Sequence, residues 1–349
     1  MKNTCGSFIP DERGVETLNP LASPRFVRRS PFGVVAAVSA LTPGRTTYGI
    51  SNASNASTSS ESRPKSPASP PLRRTTRLPF RTSSQIIWLL NPGDECIIPV
   101  PAFPLYESIT VAAGAVPKFL DLKKSNFQIE KADLEALITE KTKAIVLNSP
   151  NNPTGCVLSW ESLNTVAELA QAHDFYILCD NVYAALSEEV LPDLTLRNDL
   201  RERVILCQSF SKPWAMTGWR LGWLAAPAAL VDKFTLLQAA QIASVPTFLQ
   251  KAAETALTVG VADMAHGYRK RREYMLKRLD AMGLTYPRPE GAFYVFPDIS
   301  KFGMDSETFC IRLIQEGGLA AVPGSCFGGE GHIRLSLNPQ ASLAELAIR

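Results

Sequence analysis

The stretch "RVILCQSFSKPW" (Arg203–Trp214) joins a short apolar run to a turn that holds a single lysine. Its first eight residues have the length and the β-branched content of a buried strand. Three earlier runs have the same character: Cys96–Val100, Ala144–Asn148 and Phe175–Asp180. Helix-period segments lie between them, as in Trp160–His173. Apolar strands that alternate with helices predict an α/β fold with a doubly wound, mostly parallel sheet covered on both faces.

Composition divides the chain into three parts. We predict an aberrant, disordered N-terminal segment over residues 1–85, a large α/β domain over 86–283 and a smaller, truncated α+β domain over 284–349. Between residues 22 and 85 there are ten basic residues and one acid, Glu61. This Ser/Pro/Arg-rich stretch has no apolar period and cannot bury enough surface to offset its ordering entropy. We interpret it as a mis-translated insert in preference to an organellar transit peptide, because its densest part lies far from Met1.

Charge and composition exclude several classes of protein. The net charge of +3 is too small to indicate a nucleic-acid partner. No apolar run is long enough for a membrane span, so no membrane partner is expected. Seven cysteines are scattered singly and there are three histidines, which predicts no metal site and favours the cytoplasm.

Polar side chains follow three of the predicted strands. Asn152 follows the strand Ala144–Asn148, Asp180 closes the next one, and Ser209 and Lys212 follow the third. Ligands of open α/β sheets bind beyond the carboxyl ends of the strands. We therefore expect these four side chains to meet in one crevice.

Each of these residues has an ordinary structural explanation and a functional one. A carboxylate that closes a buried strand is costly unless it is paired, so Asp180 is either a structural partner or an anion that faces a ligand cation. Lys212 lies among apolar neighbours, which lowers the pKa of an amine and makes it a better nucleophile. Ser209, Ser211 and Arg220 together offer two hydroxyls and a guanidinium fork, which suits a phosphate group.

Such a set fits a cofactor with an aldehyde, a phosphate and a pyridine nitrogen, namely pyridoxal 5′-phosphate. The chain from Asn91 onward also carries six motifs in order: "NPGDE", "NSPNNPTG", "DNVYAAL", "SFSKPWAMTGWRLGW", "GAFYVFP" and "HIRLSL". With these motifs it resembles the class I/II aminotransferases, which are fold-type I pyridoxal-phosphate enzymes. The resemblance implies transamination between an L-amino acid and a 2-oxo acid, by a homodimer.

The resemblance also implies a role for each site residue. Lys212 would form the Schiff base and move the substrate Cα proton, while Asp180 would pair with the pyridine nitrogen. Asn152 and Tyr183 would contact the hydroxyl oxygen of the cofactor ring, and Phe103 would stack on that ring. The phosphate would be bound by Ser209, Ser211 and Arg220. Arg334 would bind the substrate carboxylate.

Two alternatives to transamination stay open, and a third is disfavoured. The cofactor motifs are shared with β-lyases and other α-carbon chemistry on the same fold. The segment "TTRLPFRTSSQIIW" (residues 75–88) has no glycine where relatives carry a phosphate loop, so an inactive product is a second alternative. A dinucleotide-dependent dehydrogenase is disfavoured, because "GSCFGGEG" lacks the G-x-G-x-x-G spacing.

Overall fold

The computed structural model describes residues 84–337 of the protein. The predicted disordered segment lies outside the described residues, except that Ser84 and Gln85 begin the first helix. Residues 338–349 of the predicted C-terminal domain also lie outside the described part.

Six strands form the main sheet. Their order across the sheet is β2-β1-β3-β4-β5-β6, and every neighbouring pair is parallel except β5 and β6. The bounds are β1 Glu95–Val100, β2 Val116–Asp121, β3 Thr142–Asn148, β4 Tyr176–Asp180, β5 Val204–Ser209 and β6 Gly222–Ala225. The predicted α/β fold class is confirmed, with one antiparallel edge strand.

The helices lie close to the predicted positions. Helix α4 has the predicted bounds because Ser159 caps its first turn by accepting a hydrogen bond from the Ser162 amide at 3.1 Å, and Asp174 ends it in the left-handed region. The α-helices within the described part are α1 Ser84–Leu89, α2 Leu105–Ala112, α3 Lys131–Glu135, α4 Trp160–His173, α5 Ala228–Ile242, α6 Thr247–Thr258, α7 Ala262–Ala281 and α8 Ser306–Gly317. None of these helices is long and apolar enough to span a membrane.

Alternate residues of each strand pack into two separate cores. On one face Ile97 and Ile145 lie with buried residues of α4 and α6. On the other face Ile98 and Val146 lie with buried residues of α1, α2 and α5. Side chains alternate between the faces of a strand, so strands that are apolar at every position need helices on both sides.

A small antiparallel sheet lies in the C-terminal part. Its strands are β7 Tyr294–Val295, β8 Val322–Pro323 and β9 Ile333–Ser336, in the order β7-β9-β8. A third core cluster joins this sheet to Tyr268 and Leu279 of α7 and to Tyr183, which lies just after β4. The small sheet is therefore packed directly against the end of the main sheet. The boundary at residue 283 stays a prediction.

Candidate active site

The carboxyl ends of β3, β4 and β5 meet at a cavity of about 410 Å³. These strands are neighbours in the sheet, and Asn148 pairs in register with Asp180, which in turn pairs with Cys207. The lining includes every predicted site residue: Phe103, Asn152, Asp180, Tyr183, Ser209, Ser211, Lys212, Arg220 and Arg334. The structure thus brings together residues from five separate parts of the sequence.

Asn148 holds the turn that carries Asn152, and the sequence analysis did not single it out. Its side-chain amide donates to the Asp180 carbonyl oxygen at 2.9 Å, and its Oδ1 accepts a hydrogen bond from the Asn152 backbone amide at 2.8 Å. Asn148 is buried, so both bonds are shielded from water. A polar residue that closes an otherwise apolar strand was the available signal.

Asp180 is a buried carboxylate with two hydrogen-bond donors. Its Oδ2 accepts from the Tyr106 hydroxyl at 2.7 Å, and its Oδ1 accepts from the Val182 amide at 3.3 Å. Burial raises the pKa of the Asp180 carboxyl to about 6, although both bonds and the charge of Lys212 lower it. Among the described residues the carboxylate is therefore short of positive charge, and a cationic ligand atom would relieve that deficit.

Tyr106 is a second residue that the sequence analysis missed. It lies three positions after Phe103 and is buried, with the two rings edge to face at a centroid distance of 5.8 Å. Burial and the Asp180 charge raise the pKa of the Tyr106 hydroxyl well above its usual value, so this group stays a donor. A tyrosine one helical turn after a candidate stacking aromatic was the only available signal.

Lys212 lies among aromatic rings. Its Nζ is 5.4 Å from the Phe293 ring centroid and 5.9 Å from that of Tyr183. Burial lowers the pKa of the Lys212 amine, and the charges of Arg334 and Arg220 lower it further, while Asp180 acts in the opposite direction. A lowered pKa increases the share of the neutral amine, which is the form that acts as a nucleophile or a base.

Ser209, Ser211 and Arg220 lie together at one side of the cavity. The Ser209 hydroxyl accepts a hydrogen bond from the Ser211 amide at 3.0 Å, and the Arg220 Nη1 donates to the Thr217 carbonyl at 2.8 Å. Arg220 has a left-handed backbone with φ of 54°, an uncommon conformation for a residue with a side chain. Two hydroxyls and a guanidinium at one place are suited to an anionic group.

Arg334 lies in strand β9 and also lines the cavity. Its Nη1 donates to the Asn152 Oδ1 at 3.0 Å, although the two residues are 182 positions apart. Its Nε is buried and has no hydrogen-bond partner among the described residues. A buried donor without a partner is costly, and a ligand oxygen bonded to this Nε would remove that cost.

Glycines at two positions let the C-terminal part approach the main sheet. The amides of Glu290 and Gly291 donate to the Gly155 carbonyl at 2.9 and 3.0 Å. A Cβ on Gly291 would lie 2.2 Å from Pro150 Cγ, and one on Gly155 would lie 2.6 Å from Pro289 Cβ. The turn "SPNNPTG" therefore positions the motif "GAFYVFP" by close backbone contact.

Replacing Gly291 with alanine is expected to destabilise the protein by about 1–3 kcal/mol, because the new Cβ overlaps Pro150. Denaturant unfolding of the purified variant measures this loss. Gly267→Ala is the control: it lies inside α7 with no atom within 4 Å of the added Cβ, and helix propensity predicts a gain of about 0.5–1 kcal/mol. Equal stability of the two variants would contradict the close contact.

Comparison with known proteins identifies the family. The model for "Aminotransferase class I and II" matches residues 82–349. The chain is a member of this family. It is 40% identical over 257 residues to an aspartate aminotransferase of Pyrococcus horikoshii, and 38% identical over 257 residues to one of Pyrococcus abyssi. Each alignment covers 71% of this chain and 66% of that protein. The chain therefore spans slightly less than two thirds of the length of these relatives.

Solved structures give the same result for the fold. An aromatic aminotransferase from Pyrococcus horikoshii OT3 superposes with a TM-score of 0.74 at 34% identity, over 78% of this chain and 76% of that one. An aspartate aminotransferase from Thermotoga maritima superposes with a TM-score of 0.73 at 33% identity, over 76% of this chain and 70% of that one. The predicted resemblance to the class I/II aminotransferases and to fold-type I is confirmed.

Class I/II aminotransferases depend on pyridoxal 5′-phosphate, and the donor set of this family member fits that group. Among the described residues, the buried Asp180 carboxylate accepts hydrogen bonds only from neutral donors, and the protonated pyridine nitrogen would supply a cationic one. Lys212 is an amine with a lowered pKa, as bonding to an aldehyde requires. Ser209, Ser211 and Arg220 would hold the phosphate, and Phe103 offers a ring to stack on. The individual roles of these residues stay predictions.

Proposed function

We propose that the protein catalyses pyridoxal-phosphate-dependent transamination between an L-amino acid and a 2-oxo acid. The observation that carries this proposal is one cavity lined by a buried carboxylate, an amine with a lowered pKa and the guanidinium groups of Arg220 and Arg334. Relatives named for aspartate, aromatic amino acid and arginine–pyruvate transamination support it. Those names do not favour the β-lyase alternative.

The cofactor, when bound, supplies an aldehyde for amines and a ring that takes up electrons from the substrate Cα. In this proposal the Lys212 Nζ accepts the Cα proton and later returns it. The Asp180 carboxylate keeps a proton on the ring nitrogen, which makes the ring a better electron acceptor. Tyr106 holds that carboxylate in place by its 2.7 Å hydrogen bond.

The other residues of the cavity bind and orient the substrate and the cofactor. The Arg334 guanidinium binds the substrate carboxylate. The hydrogen bond from its Nη1 to Asn152 fixes the orientation of the guanidinium. Asn152 and Tyr183 would contact the ring hydroxyl oxygen of the bound cofactor, and Phe103 would stack on its ring. Holding the reacting groups in one orientation supplies part of the rate enhancement.

A panel of amino donors tests the proposed function. Aspartate, phenylalanine and arginine are each supplied with 2-oxoglutarate or with pyruvate, alanine is supplied with 2-oxoglutarate, and both products are quantified. We expect the new amino acid and the new 2-oxo acid to form in equal amounts from at least one pair. Cysteine, which carries a leaving group on Cβ, is supplied without any acceptor, and release of ammonia, pyruvate and sulfide from it would instead identify the lyase alternative. Cofactor binding without either reaction would support the inactive product.

Replacing Arg334 with lysine is expected to raise KM for both amino and oxo acids by about 10–100-fold, because a charged hydrogen bond is worth about 1.5–3 kcal/mol. Cofactor affinity should stay unchanged. Steady-state kinetics and cofactor titration measure the two quantities, with Arg312→Lys on the exposed face of α8 as the control. A matching loss of cofactor affinity would place Arg334 beside the phosphate.

We also propose a homodimer that works in the cytoplasm. Large apolar side chains are exposed on α5 and α6, with Leu236 73% and Phe248 69% exposed, which supports association with a second copy. The six described cysteines are free thiols, as is typical of a reducing compartment. Light scattering after size exclusion should give twice the 38.1 kDa chain mass. A monomer mass that does not change with concentration would contradict the dimer.

A further inference from the structure

The motif "GAFYVFP" (Gly291–Pro297) has no assigned function beyond its place in the family pattern. Its Tyr294 is buried and lies in β7, which pairs with β9, the strand that carries Arg334. The register pairs Tyr294 with Ser336, so Tyr294 and Arg334 are diagonal neighbours on one face of the small sheet. The close contact of Gly291 with Pro150 fixes the start of this strand.

The ring of Tyr294 contacts the guanidinium of Arg334. The Arg334 Cζ lies 4.7 Å from the Tyr294 ring centroid and 4.9 Å from that of Phe327. Attraction between a cation and a ring strengthens as water is excluded, and both rings are buried. The two rings restrict the plane of the guanidinium, while the Nη1 bond to Asn152 restricts its rotation within that plane.

The hydroxyl of Tyr294 contacts a different group. It lies 3.0 Å from the Tyr183 hydroxyl, and both phenols are buried. Burial raises the pKa of each phenol, so both carry a proton at neutral pH. Two phenols that share one hydrogen bond have one proton left over. If Tyr294 donates, the Tyr183 proton is left to point at an acceptor in the cavity.

We propose, on the basis of the proposed function, that Tyr294 is a positioning residue with two separate actions. Its ring aims the Arg334 guanidinium at the substrate carboxylate. Its hydroxyl donates to Tyr183, so that the Tyr183 proton is directed at the ring hydroxyl oxygen of the cofactor. One side chain thus links the substrate-carboxylate site to the cofactor-ring site.

Two variants separate the actions. Tyr294→Phe keeps the ring and removes the hydroxyl, so the affinity for 3-phenylpropanoate, an unreactive carboxylate, should change less than about twofold. The pH midpoint of the bound cofactor's absorbance change should move upward, because the anionic ring oxygen loses a well-directed donor. Tyr294→Leu removes both features and should weaken 3-phenylpropanoate binding about tenfold as well.

Tyr268→Phe is the matched control. Tyr268 packs on Phe293 at 5.1 Å in the same core cluster, and the structure gives it no contact with Arg334. The Tyr268→Phe variant should bind 3-phenylpropanoate as tightly as the parent holoenzyme does, and the pH midpoint of its cofactor absorbance change should be the same.

The parent protein distinguishes failure of this inference from failure of the proposed function. The hydroxyl action would be overturned if the parent is active and the pH midpoint of the cofactor absorbance change is the same in Tyr294→Phe as in Tyr268→Phe. The ring action would be overturned if the parent is active and Tyr294→Leu binds 3-phenylpropanoate as tightly as the parent does. A parent that binds no cofactor would overturn the proposed function itself, and with it the basis of this inference.

Discussion

Replacing Lys212 with alanine is expected to abolish transamination, with a fall in kcat of at least about 10²–10⁴-fold. The reason is that the Lys212 Nζ is the only amine that lines the cavity among the described residues. No other described lysine can take the Cα proton and return it. Product formation by the cofactor-saturated variant, followed over many turnovers, measures this loss.

Lys277→Ala is the matched control for Lys212→Ala. Lys277 is exposed on α7 and lies outside the cavity, so its replacement should leave kcat unchanged. Equal thermal stability of the two variants would show that loss of activity in the first is chemical. Multiple turnovers by Lys212→Ala at more than a tenth of the parent rate would remove Lys212 from the mechanism.

Replacing Asp180 with asparagine is expected to lower kcat by about 10²–10³-fold while KM changes little. An amide is uncharged and cannot hold a proton on the ring nitrogen. The amide oxygen would accept from the Val182 amide, and the amide NH2 would donate to the Tyr106 hydroxyl oxygen, so the local fold should persist. Near-normal kcat in this variant would contradict the assigned role.

The cofactor-free protein offers a second test of Asp180. Burial raises the pKa of its carboxyl to about 6, compared with 3.8 for an unperturbed carboxyl. The folded chain therefore binds this proton more tightly than the unfolded chain does. The associated stabilisation is complete below about pH 4 and is lost as the pH rises through about 6.

The side-chain amide in Asp180→Asn does not ionise, so this variant does not lose stability as the pH rises through about 6. Without cofactor it should be more stable than the parent at pH 7–8 by up to about 3 kcal/mol, since each pKa unit corresponds to about 1.4 kcal/mol. The difference should vanish near pH 4. Denaturant unfolding of both chains between pH 4 and pH 8 measures it. A difference that grows as the pH falls would mean that burial does not control this carboxyl.

The main sheet could be predicted from the sequence because its strands are apolar on both faces. Ala144–Asn148 and Phe175–Asp180 are recognisable as short β-branched runs without any tertiary information. Strand β2 escaped notice because it lies at the edge of the sheet. Its sequence "VPKFLD" contains a proline and a lysine, and only Leu120 is buried.

The site was predictable only in part. Asp180, Ser209 and Lys212 follow strand ends, so topology alone predicts that they lie close together. Arg334 needed the family resemblance, because its bond to Asn152 spans 182 positions. Tyr106 was missed because its hydrogen bond to Asp180 depends on the packing of α2 against the sheet, which no local pattern encodes.

Reductive trapping of the cofactor tests the central claim most directly. The parent chain is saturated with pyridoxal 5′-phosphate, reduced with borohydride and digested, and the peptide that carries the added mass is sequenced. The cavity geometry predicts a single modified peptide with the cofactor on Lys212. Modification spread over several surface lysines, or concentrated on a lysine outside the cavity, would contradict this assignment of the active site.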